Sequence, residues 1–437
     1  MTALGRQKSM AALSEEAQYA DMTPIRRHRP DYLIVLYMGL LMLVGLVTIF
    51  AIGPQRANVL NNAYGSDYSG TYFFTKQMIS LGIAIAAFIA MASIPYTWVT
   101  KHAGKLVWFA LGACALLAIA GWTHMGIAQQ SLGATRWFNL GALGSLQPAE
   151  LLKFAILIFT AGFLGSKARS GKLNDVNETL IPLGIIAAVA LIFIVVIQKD
   201  FGTGVSLVGI IVAMLVAGGI NLRNTGLILL IAALIGGILI ISAPHRLDRV
   251  STFFQGDNTS TGDAGSYQVE QAKIAIGTGG LTGVGVGGSV QSTGYLPEAI
   301  NDSVFAIMGE IFGFVGLVTI LALFTALLMR LLILMDHLVD IRLKLLAAGV
   351  FGWFGAHVIL NVASMVGVIP LTGITLPLLS FGGTSMLFIT AALGLAFQLS
   401  HYTVHPSRLK EARHEDSSSR RGFGRTRHSS RSGFTRA

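Results

Sequence analysis

Ten runs of roughly 17–25 apolar residues, each long enough to cross a bilayer as a helix, constrain this chain more than any other feature. They fall at about 32–52, 74–94, 105–122, 148–165, 180–197, 203–219, 226–243, 303–329, 345–368 and 380–400. So much apolar surface can be buried only in lipid and against itself. Only 12% of the residues are charged, against about a quarter in soluble domains, and mean hydropathy is +0.67. The predicted fold is an all-α polytopic membrane protein of about ten transmembrane helices. The fifth and sixth are separated only by residues 198–202, which predicts a tight hairpin.

An even number of spans puts both termini on one side, and Lys and Arg collect in cytoplasmic connections. Most of the 31 Lys and Arg lie before residue 32, after 401, or in the even-numbered connections, among them Lys101, Lys105, Lys167, Arg169, Lys172, Arg223, Arg330, Arg342 and Lys344. Both termini are therefore expected in the cytoplasm, with connections 53–73, 123–147 and 244–302 outside. The last, between helices seven and eight, is the largest, and long connections in compact proteins are usually functional. The expected organisation is a cytoplasmic leader over 1–31, a ten-helix domain over 32–400 and a basic cytoplasmic tail over 401–437. The leader shows no short apolar segment with a small-residue cleavage site, so no cleavable signal peptide is expected. The tail is rich in Ser, Arg and Gly, and is expected to be disordered and drawn to anionic lipid or a cytoplasmic protein. The formal net charge of +10 follows this sidedness, and no interleaved aromatics make a nucleic-acid platform. The single cysteine, Cys114, lies inside an apolar run and implies no disulfide.

Within this scaffold the stretch Gly277–Glu310 stands out. It joins a Gly-rich run, Pro297, Glu298, Asp302 and an apolar helix. An acidic residue at a membrane boundary behind a glycine-rich loop is a functional candidate. Asp302 has two readings: a carboxylate placed at a helix start by the helix dipole, or a general base. If Pro297 opens a helical turn, Glu298 and Asp302 share one face. The outer cations Arg136, Lys153, Lys199, Arg246 and Arg249 also have two readings. They suit a pyrophosphate, or they form local pairs with Asp248, Glu150 and Asp200. Gln147-Pro148-Ala149-Glu150 reads as a helix start, with Glu150 and Lys153 spaced for a buried pair. The Gly-rich run lacks the phosphate-loop pattern, so close packing or flexibility is the expectation. His357 and Asn361, four apart, suit interhelical hydrogen bonds. No cluster has metal-ligand spacing.

Five blocks in order carry a resemblance. They are GATRWF with LQPAELLKF (133–138 and 146–154), QKDFGT (198–203), SYQVEQAKIAIGTGGLTGVGVGGSVQ (266–291), YLPEAINDSVFAIMGE (295–310) and NVASMVGVIPLTGITLPLLSFGGTSML (361–387). Together they resemble the RodA/FtsW/SpoVE (SEDS) family of bacterial cell-wall polymerases. The resemblance implies a multi-pass protein of the cytoplasmic (inner) membrane, with its active site on the extracytoplasmic side. It implies a peptidoglycan glycosyltransferase that joins lipid II, an undecaprenyl-pyrophosphate disaccharide-pentapeptide, into β-1,4 glycan strands with inversion. Asp302 takes the place of the family's catalytic Asp. The implied substrate-binding positions are Arg136, Lys153, Lys199, Arg246, Arg249, Glu298, Gln291 and Ser380. The implied positioning residues are Glu150, Gln147, Pro297, Gly382 and Gly383. A divalent cation (Mg or Mn) is compatible with such a reaction, but no cofactor is required by the sequence and no metal ligand is assigned.

The chain departs from the family pattern at Ser292 and Gly294, at Ile300-Asn301 where the family has His-Thr, at Ser303 where it has Phe, and at Ile311. LTGITLP (371–377) leans toward the division-type members. The implied partners are a class B penicillin-binding protein transpeptidase and other divisome or elongasome membrane proteins, with no nucleic acid. Two other functions compete with the polymerase: a lipid II flippase, which needs ionisable residues at mid-membrane, and a non-catalytic division scaffold, which does not need Asp302.

Overall fold

The computed structural model describes residues 29–403, except 132–133, 140, 142–143 and, save three isolated positions, 243–263. The leader before residue 29, the tail beyond 403, Arg246 and Arg249 lie outside the described residues. Each of the ten apolar runs is a helix. These are α1 Tyr32–Tyr64, α2 Tyr72–Ser93, α4 Ala103–Trp122, α5 Pro148–Arg169, α6 Val176–Ile197, α7 Phe201–Ala217, α8 Leu222–Ile241, α10 Val304–His337, α11 Ile341–Met365 and α12 Gly383–Leu399. Among the described residues nine of them are long and apolar enough to span a membrane, and α7 is a shorter apolar helix. Two further helices lie between these, α3 Tyr96–Lys101 and α9 Ala264–Thr278.

Three helices form the interior. The apolar windows of α5, α11 and α12 are each 72% buried, whereas that of α8 is 6% buried and lines the periphery. Small residues let the backbones approach, as membrane helix contacts require. A Cβ added at Gly394 of α12 would lie 2.5 Å from the Phe88 carbonyl oxygen of α2, and one at Gly352 of α11 2.5 Å from Ala213 Cβ of α7. At one end of the bundle the domain closes on itself. The Asp31 N–H donates to Ser400 Oγ at 3.0 Å, and Arg330 pairs with Asp31 at 2.5 Å.

The connections at the opposite end are more ordered than their composition predicts. Helix α1 runs through Pro54 to Tyr64 rather than ending near 52. Its last turns are held by Asn61, which bonds both the N–H and the carbonyl of Tyr68, and it stops at Gly65 in the left-handed conformation. The 123–147 connection contains an antiparallel sheet, β1 Ala128–Ser131, β2 Ala134–Asn139 and β3 Ser145–Leu146. The described part of 244–302 is a helix, α9, followed by the glycine-rich run and a compact turn, not an open loop.

Candidate functional site

Asp302 lies in the turn directly before α10 and is 7% exposed. The expected helical turn at Pro297 is absent, because Glu298 adopts φ +51, a left-handed conformation that leaves the helical path. Its carbonyl accepts the N–H groups of Asn301 (2.9 Å) and Ser303 (3.2 Å), so the chain coils tightly and the helix begins only at Val304. Glu298 and Asp302 therefore do not share a helix face: Glu298 is exposed and takes a hydrogen bond from Asn301 Nδ2, while Asp302 turns inward.

Four elements hold the Asp302 turn. From α9, Gln268 Nε2 donates to Asp302 Oδ1 at 3.3 Å and to Ser303 Oγ at 2.8 Å. From α11, the fully buried Asn361 donates to the carbonyl oxygens of Asp302 and Ile374, both at 2.7 Å. From the segment before α12, the Phe381 N–H donates to the Ile300 carbonyl at 2.7 Å. From α1, Gln55 bonds Ser292, and Val59 packs against Gly294.

A fifth support is α10 itself. Gly313 breaks the helix with φ +66 and ψ −168, a conformation reserved for glycine. An unbroken helix would bond Phe314 N–H to Glu310 and Val315 N–H to Ile311. Instead the glycine-rich run enters the break. The N–H groups of Val284 and Gly285 bond the carbonyls of Glu310 (2.9 Å) and Ile311 (3.1 Å), and those of Phe314 and Val315 bond Gly280 (2.9 Å) and Leu281 (3.1 Å). Close packing, not phosphate binding, accounts for these glycines: a Cβ at Gly283 would lie 2.1 Å from the Ile311 carbonyl oxygen. The buried Glu310 carboxylate completes the lock by accepting from Ser289 Oγ (2.5 Å) and from the N–H groups of Val290 (2.9 Å) and Gln291 (3.3 Å).

A second polar cluster lies at the same end. Arg136 of β2 donates to the carbonyls of Lys199 (2.8 Å) and Gln198 (3.3 Å), tying the sheet to the α6–α7 turn. Lys199 stands in that turn at φ +54. Asp200 caps α7 through Thr203 and accepts Gln147 Nε2 at 2.8 Å. Pro148 opens α5 with Glu150 in its first turn, as the sequence predicts. The Glu150–Lys153 pair is present at 2.8 Å, but it lies inside the bundle and the Lys153 side chain is 0% exposed. Lys153 Nζ also donates to His357 Nε2 (2.9 Å) and sits over the Trp353 ring (4.9 Å). Trp353 Nε1 donates to the same His357 nitrogen at 3.2 Å, so that nitrogen carries no hydrogen. Lys153 is thus an interior group rather than a surface phosphate contact.

The remaining predicted positions occupy structural places. Ser380 Oγ accepts the Leu376 N–H at 2.8 Å and closes the turn before α12. The Gln291 side chain is buried, and Pro297 takes the Ser303 hydroxyl on its carbonyl at 2.9 Å. Gly382 precedes α12 in an extended conformation, and Gly383 opens the helix, with space for a Cβ 3.6 Å from Ser80 Oγ. Sequence reasoning passed over Gln268 and the lock formed by Glu310, and took Asp200 only as a local partner for an outer cation. All three residues lie inside the quoted blocks, but only geometry reveals what they hold. Among the described residues no three His, Cys, Asp or Glu side chains converge on a metal position.

A bundle of apolar helices, nine of them among the described residues long and apolar enough to span a membrane, defines a polytopic membrane protein. The family model described as "Cell cycle protein", FtsW/RodA/SpoVE, matches residues 31–405. The chain belongs to this family. It is 31% identical to Stage V sporulation protein E of Bacillus subtilis (strain 168) over 86% of this chain and 99% of that protein. It is 34% identical to "Probable peptidoglycan glycosyltransferase FtsW" of Nitrosomonas europaea over 84% of this chain and 92% of that protein. The fold is similar to a chain of a peptidoglycan synthase complex that coordinates polymerization and crosslinking, with TM-score 0.66, 22% identity, and coverage of 85% of this chain and 97% of that one. It is also similar to Thermus thermophilus rod shape determining protein RodA, with TM-score 0.61, 20% identity, and coverage of 86% and 98%.

Proposed function

We propose that this chain is a peptidoglycan glycosyltransferase in which Asp302 is the general base. The observation that carries the reading is the buried Asp302, fixed at a bundle end by Gln268, Asn361 and the lock around Gly313. In the reaction Asp302 takes the proton of the acceptor GlcNAc 4-hydroxyl. The oxygen attacks the anomeric carbon of the donor, and the bond to undecaprenyl pyrophosphate breaks with inversion. The product is a β-1,4 glycan one disaccharide longer. A lipid-anchored substrate calls for a base at the membrane boundary, where the Asp302 turn enters α10.

Arg136, Lys199, Arg246 and Arg249 are the cations we assign to the pyrophosphates. Glu298, exposed beside the turn, is assigned to sugar contact, the buried Gln291 serves the Glu310 lock through its N–H, and Glu150, Gln147 and Lys153 position the α5 end. Ser380, Pro297, Gly382 and Gly383 shape the backbone around the site. We place the chain in the bacterial cytoplasmic membrane with both termini inside and the Asp302 end outside. The FtsW relatives favour septal synthesis, with a class B penicillin-binding protein to crosslink the strands.

The test is lipid II polymerisation by the full-length chain with its transpeptidase partner. Asp302→Asn keeps the shape and removes the base, and is expected to lower the rate at least about a hundredfold. Equal product from both proteins would overturn the assignment of Asp302.

A further inference from the structure

Three of the side chains that depart from the family pattern make hydrogen bonds around the Asp302 turn. Ser292 bonds Gln55, Asn301 bonds Glu298, and Ser303 Oγ donates to the Pro297 carbonyl at 2.9 Å. Ser303 has a second partner, because its oxygen accepts Gln268 Nε2 at 2.8 Å while that nitrogen lies 3.3 Å from Asp302 Oδ1. Both Gln268 and Ser303 are buried. An amide nitrogen carries two hydrogens, one for each acceptor. The Ser303 hydroxyl hydrogen is taken by Pro297, so its oxygen faces Gln268 as an acceptor only. A flipped amide would set its carbonyl against both a carboxylate and a lone pair, so the network itself fixes which atom is nitrogen.

We propose that Gln268 is a positioning residue for the general base, with its orientation set by Ser303. The inference rests on the reading of Asp302 as that base. Gln268 holds Oδ1 in place and, as a donor to the charged form, favours the ionised carboxylate. Several charged and titratable groups on the surrounding elements have other partners or face away. Glu298 bonds Asn301, Glu310 holds the 289–291 backbone, and His357 on α11 bonds Lys153. On α9, Lys273 lies against Gly367, and Glu270 is exposed. Gln268 is a donor through which α9 acts on Asp302.

The experiment is the pH–rate profile of lipid II polymerisation by the full-length chain with its partner, comparing the native protein with Gln268→Leu, Gln268→Glu, Ser303→Ala and Ser303→Thr. Removing a donor from a carboxylate raises its proton affinity. Gln268→Leu is expected to move the acidic limb upward by about one pH unit and to cut kcat roughly tenfold or more, with little change in KM. Gln268→Glu places a like charge beside Asp302 and moves the limb further in the same direction. Ser303→Ala lowers kcat, and Ser303→Thr, which keeps the hydroxyl, restores it. A lower rate with the limb in its native place in both Gln268 variants would overturn the proposal, leaving Gln268 a packing residue. Should Gln268→Leu fail to fold, the Gln268→Glu limb decides alone. Asp302→Asn run in parallel separates the two ideas: full activity there sinks the base itself, whereas its inactivity with unmoved Gln268 limbs sinks only the positioning role.

Discussion

At the scale of single residues, the buried charges carry the sharpest expectations. Glu310 takes three donors from the segment 289–291, two of them backbone N–H groups with no side-chain freedom. Glu310→Gln keeps the volume but replaces an acceptor-only group with an amide. It should weaken the lock by about 1–3 kcal/mol, read as faster hydrogen exchange at the amides of Val290 and Gln291. Lys153 differs in kind, since it neutralises Glu150 inside the bundle. Lys153→Met leaves a buried carboxylate without its counter-charge and should destabilise by about 3–5 kcal/mol. The double variant with Glu150→Gln should recover much of that loss, measured by thermal unfolding in detergent. Sequence spacing alone exposed the Glu150–Lys153 pair, because residues three apart meet on a helix. It could not reveal His357 as the third member, which comes from a helix some two hundred positions away and meets Lys153 only when α5 packs on α11.

At the scale of elements, the apolar runs were legible because a bilayer-length stretch of Leu, Ile, Val and Ala has one low-energy fate in lipid. The ends of those elements were less legible. Helix α1 continues past its apolar run because Gln55 and Asn61 find partners in distant segments, and no local pattern announces such partners. The Asp302 turn was misread for a related reason. Pro297 suits a first helical turn, but Glu298 is left-handed and its carbonyl gathers the N–H groups of Asn301 and Ser303 instead. The break at Gly313 is the feature most open to test. A Cβ there would lie 2.3 Å from the Gly283 nitrogen, and the backbone conformation is strained for any other residue. Gly313→Ala should destabilise the protein by about 3 kcal/mol or more. The same assay on Gly382→Ala, where no atom lies within 4 Å of the added Cβ and φ is extended, should show little change.

For the whole molecule, the contacts divide the connections into two ends. One gathers Gln55, Arg136, Gln147, Asp200, Asp302 and Phe381; the other gathers Asp31, Arg330 and Ser400. The buried Cys114 is the one cysteine, so single-cysteine labelling is clean. In intact cells Thr293→Cys, exposed at the Asp302 end, should react with a membrane-impermeant maleimide. Lys172→Cys, exposed in the connection between α5 and α6, should react only after permeabilisation. The reverse pattern would invert the proposed sidedness. The hydrogen-bond exchange at Gly313 also has a meaning for how the chain is made. Unpaired backbone groups are costly in lipid, yet the groups that complete α10 come from residues 280–285, upstream of the helix itself. They are therefore synthesised first, and the ribosome delivers the patch before the gap.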